Sequence, residues 1–411
     1  MHFKTRTLQT SALVCCSVIS VSSFASGFRL PELSAAGTAL SNAVVANPEL
    51  PGALPYNPAT MAFQKQGELI VGTIIIKPDI SVKPNSGNDA TSQGKANIAV
   101  PNMFVTNHIN TAWSWGIGIN APFGLETQWK AGTFDTFATS GGAPFEPEKS
   151  KIEMLNINPN VAYQLGNTSI ALGIDDYQVR KLTFNTQGVL ITGNGQDYGW
   201  NIGLLHAQKN WSVGLSYRSS VKVKLEGFVD GTPIGLALSA ATAEIEFPSL
   251  FQIGARYKFN DKLAAEFDIE QTGWSSFDVI DVYHSSPGIS NPVSRASNWD
   301  DAIAYRMGAT YELSPTNQLR FGYAYDETPG GDEFFTARIP GNDRQTLSIG
   351  LGHEQAGWTI EFAYMYVKAD DRSIGPSPAY IPPDDPNGSS AFDGDYKLSA
   401  HLIGVGVNTH F

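Results

Sequence analysis

Cysteine is nearly absent: the only two, Cys15 and Cys16, fall within the first 25 residues. Without that stretch the chain has no thiol, which excludes a disulfide framework and a thiolate metal site. Basic residues are few, 27 against 39 acidic, giving a formal net charge of -12, and no Lys/Arg cluster is large enough for a nucleic-acid backbone. Beyond Val21 no apolar run is long enough for a spanning helix, which needs roughly 20 residues. Any membrane insertion is therefore as a barrel. Histidine is also scarce, and His108, His206, His284, His353, His401 and His410 fall in no nucleophile motif. His353-Glu354 and Asp370-Asp371 read as solvated neighbours, and Gly350 and Gly352 lack the strand-to-helix context of a phosphate loop. No enzyme activity, metal or cofactor is expected.

The first 25 residues have a basic start (Lys4, Arg6), an apolar stretch from Ala12 to Val21, and small residues at Ser23 and Ala25. This predicts a secretory signal peptide over 1–25, cleaved before Ser26. Its removal takes away two basic residues and no acidic one, so 25 minus 39 leaves -14. An exported, acidic, cysteine-free chain fits a bacterial envelope.

What is abundant is glycine, aromatic residues and alternation. Trp211, Val213, Leu215 and Tyr217 alternate with Ser212, Gly214, Ser216 and Arg218, and Leu263, Ala265, Phe267 and Ile269 alternate with Ala264, Glu266, Asp268 and Glu270. Period two sends one set to each face of a strand. About fourteen such segments are predicted, near 68–83, 94–108, 111–121, 151–165, 168–186, 196–208, 210–226, 241–259, 262–283, 298–313, 317–327, 343–355, 357–369 and 394–411. An even number suits a single-chain transmembrane antiparallel β-barrel. Trp129, Tyr163, Trp200, Trp274, Trp299, Tyr311, Trp358 and Tyr396, close to segment ends, are assigned to interfacial girdles. Long polar stretches at 121–150, 284–297, 328–342 and 370–393 read as extracellular loops. Gly166-Asn167, Asn260-Asp261 and Ala356-Gly357 read as periplasmic turns. Residues 26–67 do not alternate and carry Pro31, Pro48, Pro51, Pro55 and Pro58, a composition suited to a plug ahead of the barrel at 68–411.

Several short runs stand out in order along the chain. They are Ser26-Gly27-Phe28-Arg29-Leu30, Tyr56-Asn57-Pro58-Ala59-Thr60-Met61, Phe123-Gly124-Leu125-Glu126-Thr127 and Gly199-Trp200-Asn201-Ile202-Gly203. Leu215-Ser216-Tyr217-Arg218-Ser219, Trp274-Ser275-Ser276-Phe277, Asn298-Trp299-Asp300-Asp301, Leu319 through Pro329 and Ile339 through Arg344 continue the series. Each is short, but together and in this order they span the chain beyond residue 25 and resemble the FadL-type outer-membrane transporters of long-chain fatty acids and hydrocarbons. The resemblance implies a fourteen-strand barrel, an N-terminal hatch containing Asn57, Pro58 and Ala59, an apolar cavity, and an inward kink in the third strand that opens a lateral exit to the outer leaflet. It implies passive uptake of fatty acids or hydrocarbons across the outer membrane of a Gram-negative bacterium, by a monomer.

For the lateral opening the expected residues are Gly116, Gly118, Asn120, Pro122 and Gly124, since Gly weakens a ladder and Pro cannot donate to one. The plain alternative is that Pro122 ends the strand at the rim. The Asn57 turn either shifts with substrate or only seals the plug. Arg180, Lys181, Arg256, Arg306 and Arg320 are candidates for holding a substrate carboxylate, against a structural pairing with Glu266, Asp268, Glu270 or Asp326. Asp300 after Trp299 and the short connection at 187–196 depart from the fatty-acid members and favour a neutral apolar molecule. Expected partners are hydrophobic small molecules, outer-membrane lipid and lipopolysaccharide, and the barrel-assembly machinery, for which Phe411 is a terminal signal. Nucleic acid is not among them. A general diffusion porin for polar solutes shares the alternation, but it would start its first strand soon after the signal peptide.

Overall fold

The computed structural model describes residues 27–85, 88–135, 137, 143–287, 291–375 and 392–411. The expected signal peptide, Ser26 and most of the 370–393 stretch lie outside the described residues. Fourteen antiparallel staves close into a barrel. They are β1 (Glu68–Pro84), β2 (Ile98–His108, preceded by Ala90–Thr91), β3 (Trp113–Asn120, resuming as Gly124–Gln128), β4 (Pro147–Leu165) and β5 (Thr168–Thr186). Next come β6 (Leu190–Ala207), β7 (Trp211–Arg218 and Val221–Asp230), β8 (Ser239–Phe247 and Leu250–Lys258) and β9 (Leu263–Thr272 and Val279–His284). The ring ends with β10 (Val293–Ala296 and Ala302–Ser314), β11 (Asn317–Asp326), β12 (Arg344–Gln355), β13 (Trp358–Ala369 and Arg372–Ile374) and β14 (Gly394–His410). Closure is complete: β14 pairs with β1 from Glu68↔His410 to Pro84↔Gly394, so no sheet edge remains there. No described helix is long and apolar enough to cross a membrane.

All fourteen predicted segments are staves, several longer than expected. β5 ends at Thr186 as expected, but β6 begins at Leu190, so the stretch at 187–196 is mostly strand. Alternation sets the orientation. On β7, Trp211 and Val213 are exposed and Ser212, Gly214 and Ser216 are buried; on β5, Ile170, Leu172 and Ile174 are exposed. A closed wall with an outward apolar band is what a bilayer covers. The short turns include Gly166, at φ +58°, and Ala356-Gly357, at φ 50° and +85°, a left-handed backbone that glycine adopts without strain.

The girdle assignment needs correction. Tyr163, Trp200, Tyr311 and Trp358 are exposed on the outer face, but Trp129, Trp274 and Tyr396 are buried inside and Trp299 packs on the interior cluster around Phe28. Closeness to a strand end does not say which face a ring takes, and these four turn inward to fill the mouth.

The inner wall has two halves. Toward the long loops it is apolar, with Tyr177 and Val179 on β5, Val221, Val223 and Leu225 on β7, and Met365 and Val367 on β13. Toward the short turns it is glycine, amide and charge. Residues 28–62 are mostly buried inside the barrel, and from Leu33 on they pack into this lower half, forming the short helix α1 (Ala35–Thr38) and a 3-10 turn (Pro58–Phe63). The glycines make the fit possible: a Cβ on Gly214 would strike the Val45 carbonyl, on Gly322 the Leu40 backbone, and on Gly350 Ala39.

Candidate functional site: a broken stave and a filled lumen

The third stave breaks where Pro122 interrupts it. Below the break β3 pairs with β2 from Ser114↔His108 to Ile119↔Met103, and there the ladder stops. Residues 98–102 of β2 keep β1 on one side and have no ladder partner on the other among the described residues. The backbone of β3 has turned inward to the N-terminal segment: the Leu30 amide donates to the Pro122 carbonyl at 2.8 Å and the Gly124 amide to the Phe28 carbonyl at 2.9 Å. From Ala121 to Thr127 every residue is buried, the mark of a strand that has left the wall. The wall closes again above, where the Gln93 amide donates to the Gln128 carbonyl at 2.7 Å. The result is an interruption between β2 and β3, backed by an apolar cluster that includes Leu30, Ile98, Val100, Ala121 and Trp129.

The expected lateral-opening residues separate into two groups. Asn120, Pro122 and Gly124 lie at the break. Gly116 and Gly118 lie below it, where a Cβ would meet Leu54 of the N-terminal segment. Pro122 does not end the stave at the rim, because the strand resumes as Gly124–Gln128 and pairs with Lys149–Glu153 of β4.

Behind the break, Phe28 fills the apolar half of the lumen. Its ring centroid is 4.7 Å from Trp274, 5.2 Å from Phe277 and 6.0 Å from Phe123. A narrow cavity remains beside it, lined by Leu33, Pro122, Phe123 and Tyr177 with Arg29 and Arg218 at its polar end.

Polar contacts fix the segment that carries Phe28. Glu266, Asp268 and Glu270 project inward from β9. Asp268 accepts from the Val44 and Val45 amides at 2.7 and 3.0 Å, Glu266 from Ala46 at 2.6 Å, and Glu270 takes both terminal nitrogens of Arg29, one at 3.0 Å. The Asn57 side chain caps the 3-10 turn by accepting from Ala59 at 3.1 Å, and it donates to the carbonyls of Val45 at 2.8 Å and of Leu204 in the wall at 3.1 Å. Pro58, at the first position of the turn, needs no amide partner. Tyr56 accepts from the Leu33 amide at 3.1 Å and donates to Asn42 at 3.0 Å. Burial pushes its phenol well above the ordinary range, so it stays a neutral donor.

The basic candidates are dispersed. Arg306 bridges Glu270 at 2.8 Å and Asp326 at 3.0 Å, Arg320 is paired with Glu361, and Arg256 reaches Glu49 at 3.1 Å. Arg180 and Lys181 do not enter the lumen: both are exposed where the β5 register shifts between Val179 and Leu182. The irregularity puts two exposed residues in succession between Val179 and Leu182, both of which face the apolar cluster. Sequence reasoning missed Arg29 and the Arg218–Asp175 pair as lumen groups. The available signal was charge on the small-residue face of Leu215-Ser216-Tyr217-Arg218.

A closed, lipid-facing barrel with an occupied lumen and a broken stave defines an outer-membrane transport channel. A family model described as outer membrane protein transport protein (OMPP1/FadL/TodX) matches residues 16–411, and the chain belongs to that family. The long-chain fatty acid transport protein of Escherichia coli K12 is 24% identical, the match covering 92% of this chain and 96% of that one. Among solved structures, a Pseudomonas aeruginosa FadL homologue superposes with a TM-score of 0.80 at 19% identity, covering 94% of this chain and all of its own. The Ralstonia pickettii toluene transporter TbuX gives 0.68 at 16% identity, covering 92% and 98%. The chain is thus an outer-membrane protein of Gram-negative type, in a family of transport channels.

Proposed function

We propose that this chain takes up hydrophobic molecules, long-chain fatty acids or hydrocarbons, by passive diffusion across the outer membrane. The solute enters at the long-loop mouth, occupies the apolar half of the lumen in competition with Phe28, and leaves sideways between β2 and β3 into the outer leaflet. Residues 1–25 act as the signal peptide, 26–67 as the hatch and 68–411 as the barrel. The chain works as a monomeric channel, not an enzyme, surrounded by outer-membrane lipid and lipopolysaccharide after insertion by the barrel-assembly machinery.

The observation that carries this reading is the broken ladder, with β3 bonded to the hatch at Leu30–Pro122 and Gly124–Phe28 in place of β2. A greasy solute gains about 0.8 kcal/mol per buried CH₂, so sideways exit into lipid is downhill where exit through a wet pore is not. Because the same backbone groups hold hatch and kink, displacing Phe28 also loosens the gate. The hatch motif Asn57, Pro58 and Ala59 acts as the pivot, tied at once to the hatch through Val45 and to the wall through Leu204. Against a general porin stands the lower lumen, filled by residues 33–62.

The test is uptake of hexadecane and oleate by a host lacking its own transporter. Removing residues 121–123, so that β3 stays in the wall, is expected to abolish uptake while leaving a folded, heat-modifiable barrel. Undiminished uptake by that variant would overturn the lateral route.

A further inference from the structure

We infer that this channel selects electrically neutral molecules and discriminates against ionised carboxylates, because its interior offers no free cation to receive one. The inference rests on the uptake reading above and narrows its substrate class.

Every Lys and Arg beyond residue 26 lies among the described residues, so the charge inventory of the lumen is complete on the cationic side. The two guanidinium groups at the cavity are both taken. Arg29 is held by both oxygens of Glu270, and Arg218 is paired with Asp175. Asp175 is itself fixed by Asn156 at 2.8 Å and Asn201 at 3.0 Å, so it is not a mobile counter-ion that would swing aside. Deeper in the lumen Arg306, Arg320 and Arg344 are matched by Glu270, Glu361 and Asp326. Near the kink Lys151 lies against Glu153 at 2.5 Å and Glu126 at 3.9 Å. At the mouth Arg372 meets Asp332 at 2.7 Å. Among the described residues eleven buried carboxylates stand against seven buried cationic side chains and the part-buried Arg218, so the formal interior charge is negative.

An entering carboxylate loses its hydration and finds each of these cations already bonded to another carboxylate. It must break a buried pair or remain unpaired, and either is costly. An alcohol or alkane of the same chain length carries the same apolar surface without that cost. Arg180 and Lys181 cannot compensate, since both are exposed and not in the lumen.

The experiment offers equimolar dodecan-1-ol and dodecanoate, at alkaline pH, to the detergent-extracted full chain. Each ligand recovered with the protein is quantified by mass spectrometry and normalised to protein-free micelles. The expected wild-type result is an excess of the alcohol of about tenfold or more. Asp175→Asn and Glu270→Gln, which release Arg218 and Arg29 respectively, are expected to raise the carboxylate share severalfold. Heat-modifiable migration identifies which variants are folded, and either one suffices for the reading. Equal or greater recovery of dodecanoate by the wild type would overturn the inference and leave hydrophobic uptake standing. Recovery of neither ligand would overturn the uptake reading and this inference with it.

Discussion

The upper and lower halves of the lumen are built from the same fourteen strands, yet they solve opposite problems. The lower half presents Gly214, Gly322 and Gly350 with Glu266, Asp268 and Asn57 in contact, and it holds a polypeptide backbone by close approach and by bonds to its amides. The upper half presents Val, Leu and aromatic side chains that meet the Phe28 ring through non-directional contacts. Directional bonds fix one occupant in one place. A greasy pocket accepts any solute of suitable size, so the half that must stay shut is polar and the half that must exchange its contents is apolar.

Each half of the lumen can be perturbed on its own. The largest effect is expected from Phe28→Ala. Truncating a fully buried ring costs about 3–5 kcal/mol when the space stays empty, and here it vacates the upper pocket. More co-purifying acyl or hydrocarbon ligand is expected by mass spectrometry, whereas unchanged ligand content would show that Phe28 does not compete with solute. Next, Gly214→Leu forces a side chain into the Val45 carbonyl, an overpacking cost of about 1–3 kcal/mol. It is expected to dislodge the hatch, and the readout is a rise in ion conductance in planar bilayers without loss of the heat-modifiable barrel.

Asp268→Ala removes the acceptor for the Val44 and Val45 amides and leaves buried donors unsatisfied, at about 1–3 kcal/mol. Intermittent conductance bursts are expected, with Asp268→Asn milder because its amide oxygen still accepts. The smallest effect is expected outside the lumen, from Asp371→Asn. Asp371 lies in solvent, held below the usual carboxylate range by Lys368 and Lys397, and such surface pairs contribute little. Uptake and thermal migration should match the wild type, and a clear loss would mean that the mouth matters more than the lumen.

The outer architecture was legible because period two leaves a strong trace. Once Trp211, Val213 and Leu215 face lipid, Ser212, Gly214 and Ser216 must face in, and counting such runs yields the fourteen staves. The break at Pro122 was legible as a proline among glycines, but its consequence was not. That β3 bonds to Phe28 and Leu30 is a contact across more than 90 residues, which local pattern does not carry. The inward turn of Trp129, Trp274 and Tyr396 was hidden for the same reason: an aromatic ring is equally at home in a girdle and in an apolar lumen. Arg180 and Lys181 were misplaced because the register irregularity between Val179 and Leu182 leaves no mark in a single sequence. The lumen salt bridges were half legible, since Glu266, Asp268 and Glu270 stood on the inward face of one strand while their partners came from elsewhere in the chain.

The most direct test of the central claim, that solute occupies the upper half and leaves through the gap, is photolabelling with a diazirine-bearing alkane followed by peptide mapping. Adducts are expected on Ile98, Val100 and residues 121–125, flanking the break. Adducts confined to the lower lumen, at Asn47, Thr106 or Ser114, would contradict it and place the route through the hatch to the periplasm.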